Sequence, residues 1–513
     1  MKKFIKKIKS NKFLYILSVL IIGVFIILIT RVTYAFLAPI INEAQTNVAI
    51  KGDTIDEYSL KVGNPLKINA TPTTLKENGT NYTTSTTATA SLKANSTKNT
   101  ATYGYYLYFQ IENNTFTYTS GTTPEIILTI TNPNGEEITS IEGLTYGTFN
   151  GVSGFDVTTQ NGLFNIANNY QITSNSSTTA TIHEWTITLT YLNQSYDQSA
   201  NFGKNMEVGV LLQKEKVKPL LADYVKSLYT GTQGENSIYY HTSTLTNGAG
   251  DNSYRYAGAN PNNYVCFGAS ASTCPTDNLY RIIGVFGDQV KLIKYDYANS
   301  NLLGTDGDYS PDTYSKSSNS KYKGELTTIN RYYWNYNANN TASNKWSTSL
   351  FNKINLNTNY LNNIGTTWSN MIENTTWKVS GHTTNAVTPK AMYTAEITTA
   401  TKTYGPSDGV SKIGLMYVSD YGFAATPSAW TSNMGYYDSS TIGSVNWMYM
   451  GLEDWTISRY YGAYSVLKVS RDGNLDGYTA NSVYGVRPVL YLKSSVLYAG
   501  GSGTKNSPIT LVV

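Results

Sequence analysis

Gly405-Pro406-Ser407-Asp408-Gly409 matches the G-x-S-x-G pattern of a serine nucleophile letter for letter. That chemistry needs a strand before the serine, a helix after it and a histidine base later in the chain. Pro406 and the Asp408-Gly409 pair write a turn instead, and no histidine follows His382. His183, His241 and His382 are the only histidines, 58 and 141 residues apart, with no HxxxH or CxxC spacing that would gather a transition metal. His183 stands beside Glu184 and Trp185 in an alternating run, which marks a half-buried strand residue. Asp472, Asn474, Asp476 and Gly477 reproduce the first half of an EF-hand loop, D-x-N-x-D-G. The twelfth position is Val483, where calcium geometry calls for a bidentate Glu. A turn between two strands explains the same letters, with a calcium site at Asp472, Asn474 and Asp476 as the alternative. Asp306, Asp308 and Asp312 form a similar, weaker cluster.

Aromatic residues carry the second kind of chemistry. Arg331-Tyr332-Tyr333-Trp334-Asn335-Tyr336 and Tyr436-Tyr437 are dense clusters in a chain with 44 Tyr, 14 Phe and 8 Trp. Exposed, Tyr333, Trp334, Tyr336, Tyr436 and Tyr437 would stack on sugar rings or on aromatic side chains of a partner, with nearby Asn and Asp bonding hydroxyls. Buried, they would be ordinary core. Cys266 and Cys274 are the only cysteines. A short loop with Gly268 inside can close between them, and outside the cell such a pair oxidises to a disulfide. No cofactor is expected beyond the calcium alternative.

The elements that must position these residues follow from composition. The chain has 513 residues, so two or three domains are expected. Charged residues are 14%, against roughly 25% in an average soluble domain. Many aromatics and little net charge exclude disorder, and a surface this poor in Lys and Glu is unlike that of a cytosolic enzyme. The formal charge of +4 is concentrated in Lys2, Lys3, Lys6, Lys7, Lys9 and Lys12; removing those six leaves 32 basic residues against 34 acidic ones. A nearly neutral body has no counterion-release drive, which excludes nucleic acid. Phe13 to Ile29 is apolar and uncharged, about 26 Å as a helix, and Val32 to Ile41 can extend it. The lysines hold its N-terminus in the cytoplasm, so a single-pass transmembrane helix leaves the C-terminal bulk extracellular at the cell membrane. A cleavable signal peptide, with Thr33 and Ala35 before the cut, is the competing reading.

Residues 1–42 are thus a basic cytoplasmic tail and membrane anchor. In 43–214, alternating runs such as Thr87 to Ala94, Tyr103 to Ile111 and Thr181 to Leu192 recur between turn signals and predict an antiparallel β-sandwich. Lys216 to Tyr229 changes to helical spacing, with Pro219 suited to a first turn, and predicts a helical linker over 215–233. From 234 to 513 strands mix with short helices. Tyr280 to Phe286 and Val290 to Tyr295 flank a Gly287-Asp288-Gln289 hairpin turn. Lys412 to Asp420, KIGLMYVSD, predicts another strand, while Asp296 to Asn344 and Met434 to Ser440 are rich in Tyr, Asn, Ser and Gly and predict surface loops.

The ending carries a resemblance. Trp455-Thr456-Ile457-Ser458-Arg459, the Asp472-Gly473 turn, Gly485-Val486-Arg487-Pro488 through Leu492, and Gly501-Ser502-Gly503-Thr504 resemble an uncharacterised extracellular domain family of gut-dwelling Bacillota, related to the C-type lectin-like fold of formylglycine-generating enzymes. The resemblance implies a C-type lectin-like α+β domain over residues 234–513 and a surface protein, with no established activity. The enzyme branch holds copper with a cysteine pair, and the pair here is placed too early and too close for that activity to transfer. The segment after Thr33-Tyr34-Ala35-Phe36 resembles, in layout only, camelysin-type matrix fibre subunits. The fold class expected is therefore mainly β with some α: a transmembrane helix, a β-sandwich and a lectin-like unit. The function expected is adhesin-like binding of an extracellular glycan or protein ligand, with a fibre subunit as the alternative and an enzyme disfavoured.

Overall fold

A computed structural model describes residues 55–112, 114–271, 273–336, 343–399 and 408–512. The expected anchor over residues 13–41 and the Gly405-Pro406-Ser407 part of the nucleophile-like motif lie outside the described residues. Among those described, no helix is long and apolar enough to cross a membrane. The chain is mainly β, in several antiparallel sheets, and divides into two compact units at Val217/Lys218.

In the first unit ten strands form two sheets. They are β1 (Glu57–Val62), β2 (Leu66–Asn69), β3 (Tyr82–Lys93), β4 (Ala101–Glu112), β5 (Ile126–Thr131), β6 (Thr145–Phe149), β7 (Val152–Asp156), β8 (Gly162–Ser174), β9 (Thr181–Tyr191) and β10 (Asn205–Gln213). One sheet runs β1-β3-β9-β5-β7-β6 and the other β2-β10-β4-β8. Period-two patterning explains the packing. Along β3, Ala88, Ala90 and Leu92 are buried, while Thr87 faces solvent and Thr89 and Ser91 are half-buried. Their buried faces meet those of Tyr105, Leu107 and Phe109 from the other sheet in one shared core around Trp185. His183 is half-buried on β9, where its Nδ1 lies 3.0 Å from the Tyr105 hydroxyl. Trp185 Nε1 donates to the same hydroxyl at 2.9 Å.

The second unit starts earlier than expected. Helix α1 (Leu221–Ser227) is not a linker: Leu221, Ala222 and Val225 are buried in the core of residues 218–513, so the boundary moves from 234 to 218. Burying these apolar side chains holds the helix against the unit rather than between units. The two ends of this unit also close on each other. Leu221 N donates to Val496 O at 2.8 Å, Tyr498 N donates to Pro219 O at 2.9 Å, and the rings of Tyr224 and Tyr498 stack with centroids 3.7 Å apart.

The largest sheet of this unit has seven strands, including Leu279–Phe286, Gln289–Lys294 and Val489–Tyr491. Gly287 turns the hairpin between the first two at φ +61, a conformation open to glycine. Asp454–Arg459, Ser465–Val469 and Leu475–Thr479 form a three-stranded sheet. The expected strand over Lys412 to Asp420 is corrected. Only Ile413–Gly414 is strand, and Val418–Phe423 is a helix, α2, opened by a capping box in which Tyr417 N donates to Asp420 Oδ2 at 3.0 Å.

Candidate functional site

Asp296 to Asn344, expected as surface loops, instead contains the strands Tyr309–Ser315 and Thr328–Tyr333, and Asp308 stands just before the first. Its buried carboxylate accepts Tyr336 N at 3.0 Å and Phe351 N at 2.7 Å, and burial pushes its carboxyl pKa up. Asn335 follows, its N donating to Ala480 O at 2.9 Å; Ala480 N in turn donates to Tyr464 O at 2.8 Å. Asn344, fully buried, donates its amide to Gly462 O (2.8 Å) and Ser465 O (2.9 Å), while its Oδ1 accepts Arg459 at 2.7 Å. Four segments, 333–336, 343–345, 460–465 and 478–484, are thereby bound into one loop cluster. The scaffold beneath is rigid: Trp455 Nε1 donates to Tyr332 O at 2.8 Å, and Trp334 Nε1 donates to Thr456 O at 2.9 Å.

This loop cluster presents tyrosine to solvent. Tyr336 is 44% exposed, Tyr461 61%, Tyr464 50% and Tyr478 44%. Tyr333 is half-buried with its ring 4.5 Å from that of Tyr336. Tyr478 meets Tyr484 edge-on at 5.7 Å, and Lys468 Nζ lies 4.9 Å from both rings. Lys468 has its pKa lowered by burial, although Asp476 is 3.9 Å away. Flat aromatic faces beside amide-rich loops can stack on sugar rings or on partner side chains.

The sequence-selected residues divide. Tyr333 and Tyr336 belong to this cluster. Trp334 does not reach solvent: it is fully buried, packed 5.0 Å from the Trp346 ring, and is core rather than contact surface. Tyr436 is exposed, but Tyr437 is buried, its hydroxyl bonded to Ala429 O at 2.9 Å, which removes it from any ligand set. Tyr461, Tyr464 and Tyr478 escaped selection, though Arg459-Tyr460-Tyr461-Gly462-Ala463-Tyr464 is a tyrosine cluster only slightly less aromatic than residues 331–336.

The calcium alternative loses its ligands to other partners. Asp472 pairs with Lys321, Asp476 faces Lys468, and Asn474 accepts the Ser470 hydroxyl. Gly473 at φ +88 makes the segment a hairpin turn between Ser465–Val469 and Leu475–Thr479. Among the described residues no group of three or more His, Cys, Asp or Glu could hold a metal ion. Asp306 and Asp312 are also engaged, with Asn359 (2.6 Å) and Arg331 (3.9 Å).

Cys266 and Cys274 are bonded, with Cα atoms 5.7 Å apart. A cleft of about 420 Å³ lies beside the bridge, lined by Thr273, Thr276, Lys505, Asn506 and Thr510 among others. Lys505 pairs with Glu325 and lies 4.9 Å from the Tyr295 ring. No family model matches the chain, and no curated protein matches it.

Proposed function

We propose that the chain is a membrane-anchored extracellular surface protein whose second unit binds a glycan or protein ligand. The observation that carries this reading is the set of four exposed tyrosines, three on loops and Tyr478 on the strand Leu475–Thr479, set over a buried tryptophan scaffold. Exposed aromatics cost free energy in water unless something covers them, and tyrosine gives contact area with few rotamers to freeze. The lysine-flanked apolar run and the cysteine pair support the extracellular placement, and the Trp455-to-Arg459 and Gly485-to-Pro488 elements support the resemblance to lectin-like units. Binding of the full chain to a glycan panel and to intact cells tests it. Replacing Tyr461 and Tyr464 with Ala should abolish captured binding while the near-ultraviolet dichroism stays unchanged; a folded double variant that binds as before would discard this site.

A fibre subunit is the second reading, favoured by β8. This edge strand is 13 residues long and carries no charged residue, and such edges invite pairing with another chain. Two register shifts opposite Tyr105 to Tyr108 bend it and work against that pairing. Ordered polymers of the purified chain under electron microscopy would support this reading over ligand binding.

A further inference from the structure

Beneath the sheet of the second unit a lysine and a carboxylate are sealed together. Lys291 Nζ is 2.5 Å from Asp420 Oδ2, and both side chains are almost wholly buried. Nζ sits 4.5 Å from the ring of Tyr417, 5.1 Å from Tyr491, 5.5 Å from Phe286 and 5.8 Å from Trp377. Arg255 touches the pair, and Glu396 holds the backbone just before it. Arg255 places a guanidinium nitrogen 3.5 Å from Asp420 Oδ1 and is itself matched by Asp251 at 2.7 Å. Glu396, fully buried, accepts Val418 N (2.9 Å) and Ser419 N (3.1 Å), the two amides directly before Asp420.

We propose that Lys291 and Asp420 condense into an amide, an isopeptide cross-link between the strand Gln289–Lys294 and helix α2. Against the pull of burial, the Asp420 charge holds the Lys291 pKa above its ordinary value. The reactive amine therefore forms only transiently, by transfer of a proton within the pair to give amine and carboxylic acid. The amine nitrogen then attacks Asp420 Cγ, and Oδ1 carries the developing negative charge toward Arg255. A second proton passes from nitrogen to Oδ2, which leaves as water. One N–C bond forms and one C–O bond breaks, with no redox change and no net proton. One ammonium and one carboxylate disappear together, and Arg255 remains balanced by Asp251.

The rest of the core supplies its own contrast. Arg487 Nε is also 2.5 Å from a buried carboxylate, that of Asp454, but a guanidinium is not a nucleophile. Lys294 is equally buried, yet its Nζ donates to the backbone oxygen of Asp277. Lys291 joins a buried amine to a buried side-chain carboxyl.

Protease digestion and mass spectrometry of the purified full chain decide the matter. The expected product is a branched peptide joining Lys291 to Asp420, lighter by one water than its two arms. The bond would close a loop across a sequence separation of 129, so the denatured chain should also migrate faster than the Lys291→Arg variant. Lys291→Arg keeps the charge and should yield only linear peptides. Recovery of the two arms unlinked from the unaltered chain would overturn the proposal.

Discussion

Trp334 and Tyr336 are two positions apart, and their substitution should separate core from surface. Trp334→Ala removes a buried ring and leaves Thr456 O without its donor; a loss of about 3–5 kcal/mol is expected in the denaturant midpoint of the second unit. Tyr336→Ala should stay within about 0.5 kcal/mol, since exposed positions tolerate truncation, while weakening ligand capture. Composition reveals that an aromatic cluster exists; which member points inward depends on strand register, which aromatic density alone does not encode. Glu396 sets a pH dependence. Its folded pKa, raised by burial to about 7, lies above its ordinary 4.5, so the fold favours the protonated form. Asp454 is raised by burial to about 6 and acts in the same direction. Stability from both is fully present near pH 4 and is lost as pH rises through about 6 to 7, a tenfold change in proton affinity being worth ~1.4 kcal/mol. Thermal melting of the second unit should therefore show a higher midpoint at pH 5 than at pH 8, and Glu396→Gln should flatten that slope.

At the scale of elements, legibility followed exposure. β3 and β9 alternate because one face meets the core and the other meets solvent, and a period of two is then written in the letters. Helix α2 left no such trace. All six residues from Val418 to Phe423 are buried, and six letters buried on every side, V-S-D-Y-G-F, carry no helical period to read. Its N-terminal signal was present in Tyr417 and Asp420, but a Tyr cap lies outside the usual Ser, Thr, Asp and Asn set. The Asp472-Gly473 segment was legible as a turn because glycine there answers a left-handed conformation. The disulfide pins a loop of sequence separation 8 to the strand Tyr264–Cys266. Replacing both cysteines with Ser should lower stability by less than about 3 kcal/mol, because so short a closed loop restricts the unfolded chain little. A chemical denaturation curve with and without reductant measures it.

Among the described residues each unit has its own main core, and the second unit adds three smaller clusters. A fragment of residues 218–513 should unfold in a single cooperative transition, with calorimetric and van't Hoff enthalpies in agreement. A fragment starting at 234 lacks Leu221, Ala222 and Val225 and should melt at a lower temperature. Equal melting of the two fragments would show that α1 adds nothing to the core. The unit's start was misplaced in sequence because Gly231 and Gly234 punctuate the chain after the helix, and a glycine break looks the same whether the helix before it packs forward or backward.

The backbone hydrogen bonds joining residues 219–221 to residues 496–498, with Val512 N donating to Leu497 O at 3.2 Å, bring the first and last described segments of the second unit to one spot. A unit whose ends meet is a cassette. It can be spliced into a surface turn of an unrelated host without prying that turn open, and it can be cut and rejoined at a new place on its circumference with little change in how it packs. Evolution can therefore shuffle such a unit among carriers while its tyrosine-bearing loops vary independently of whatever holds it.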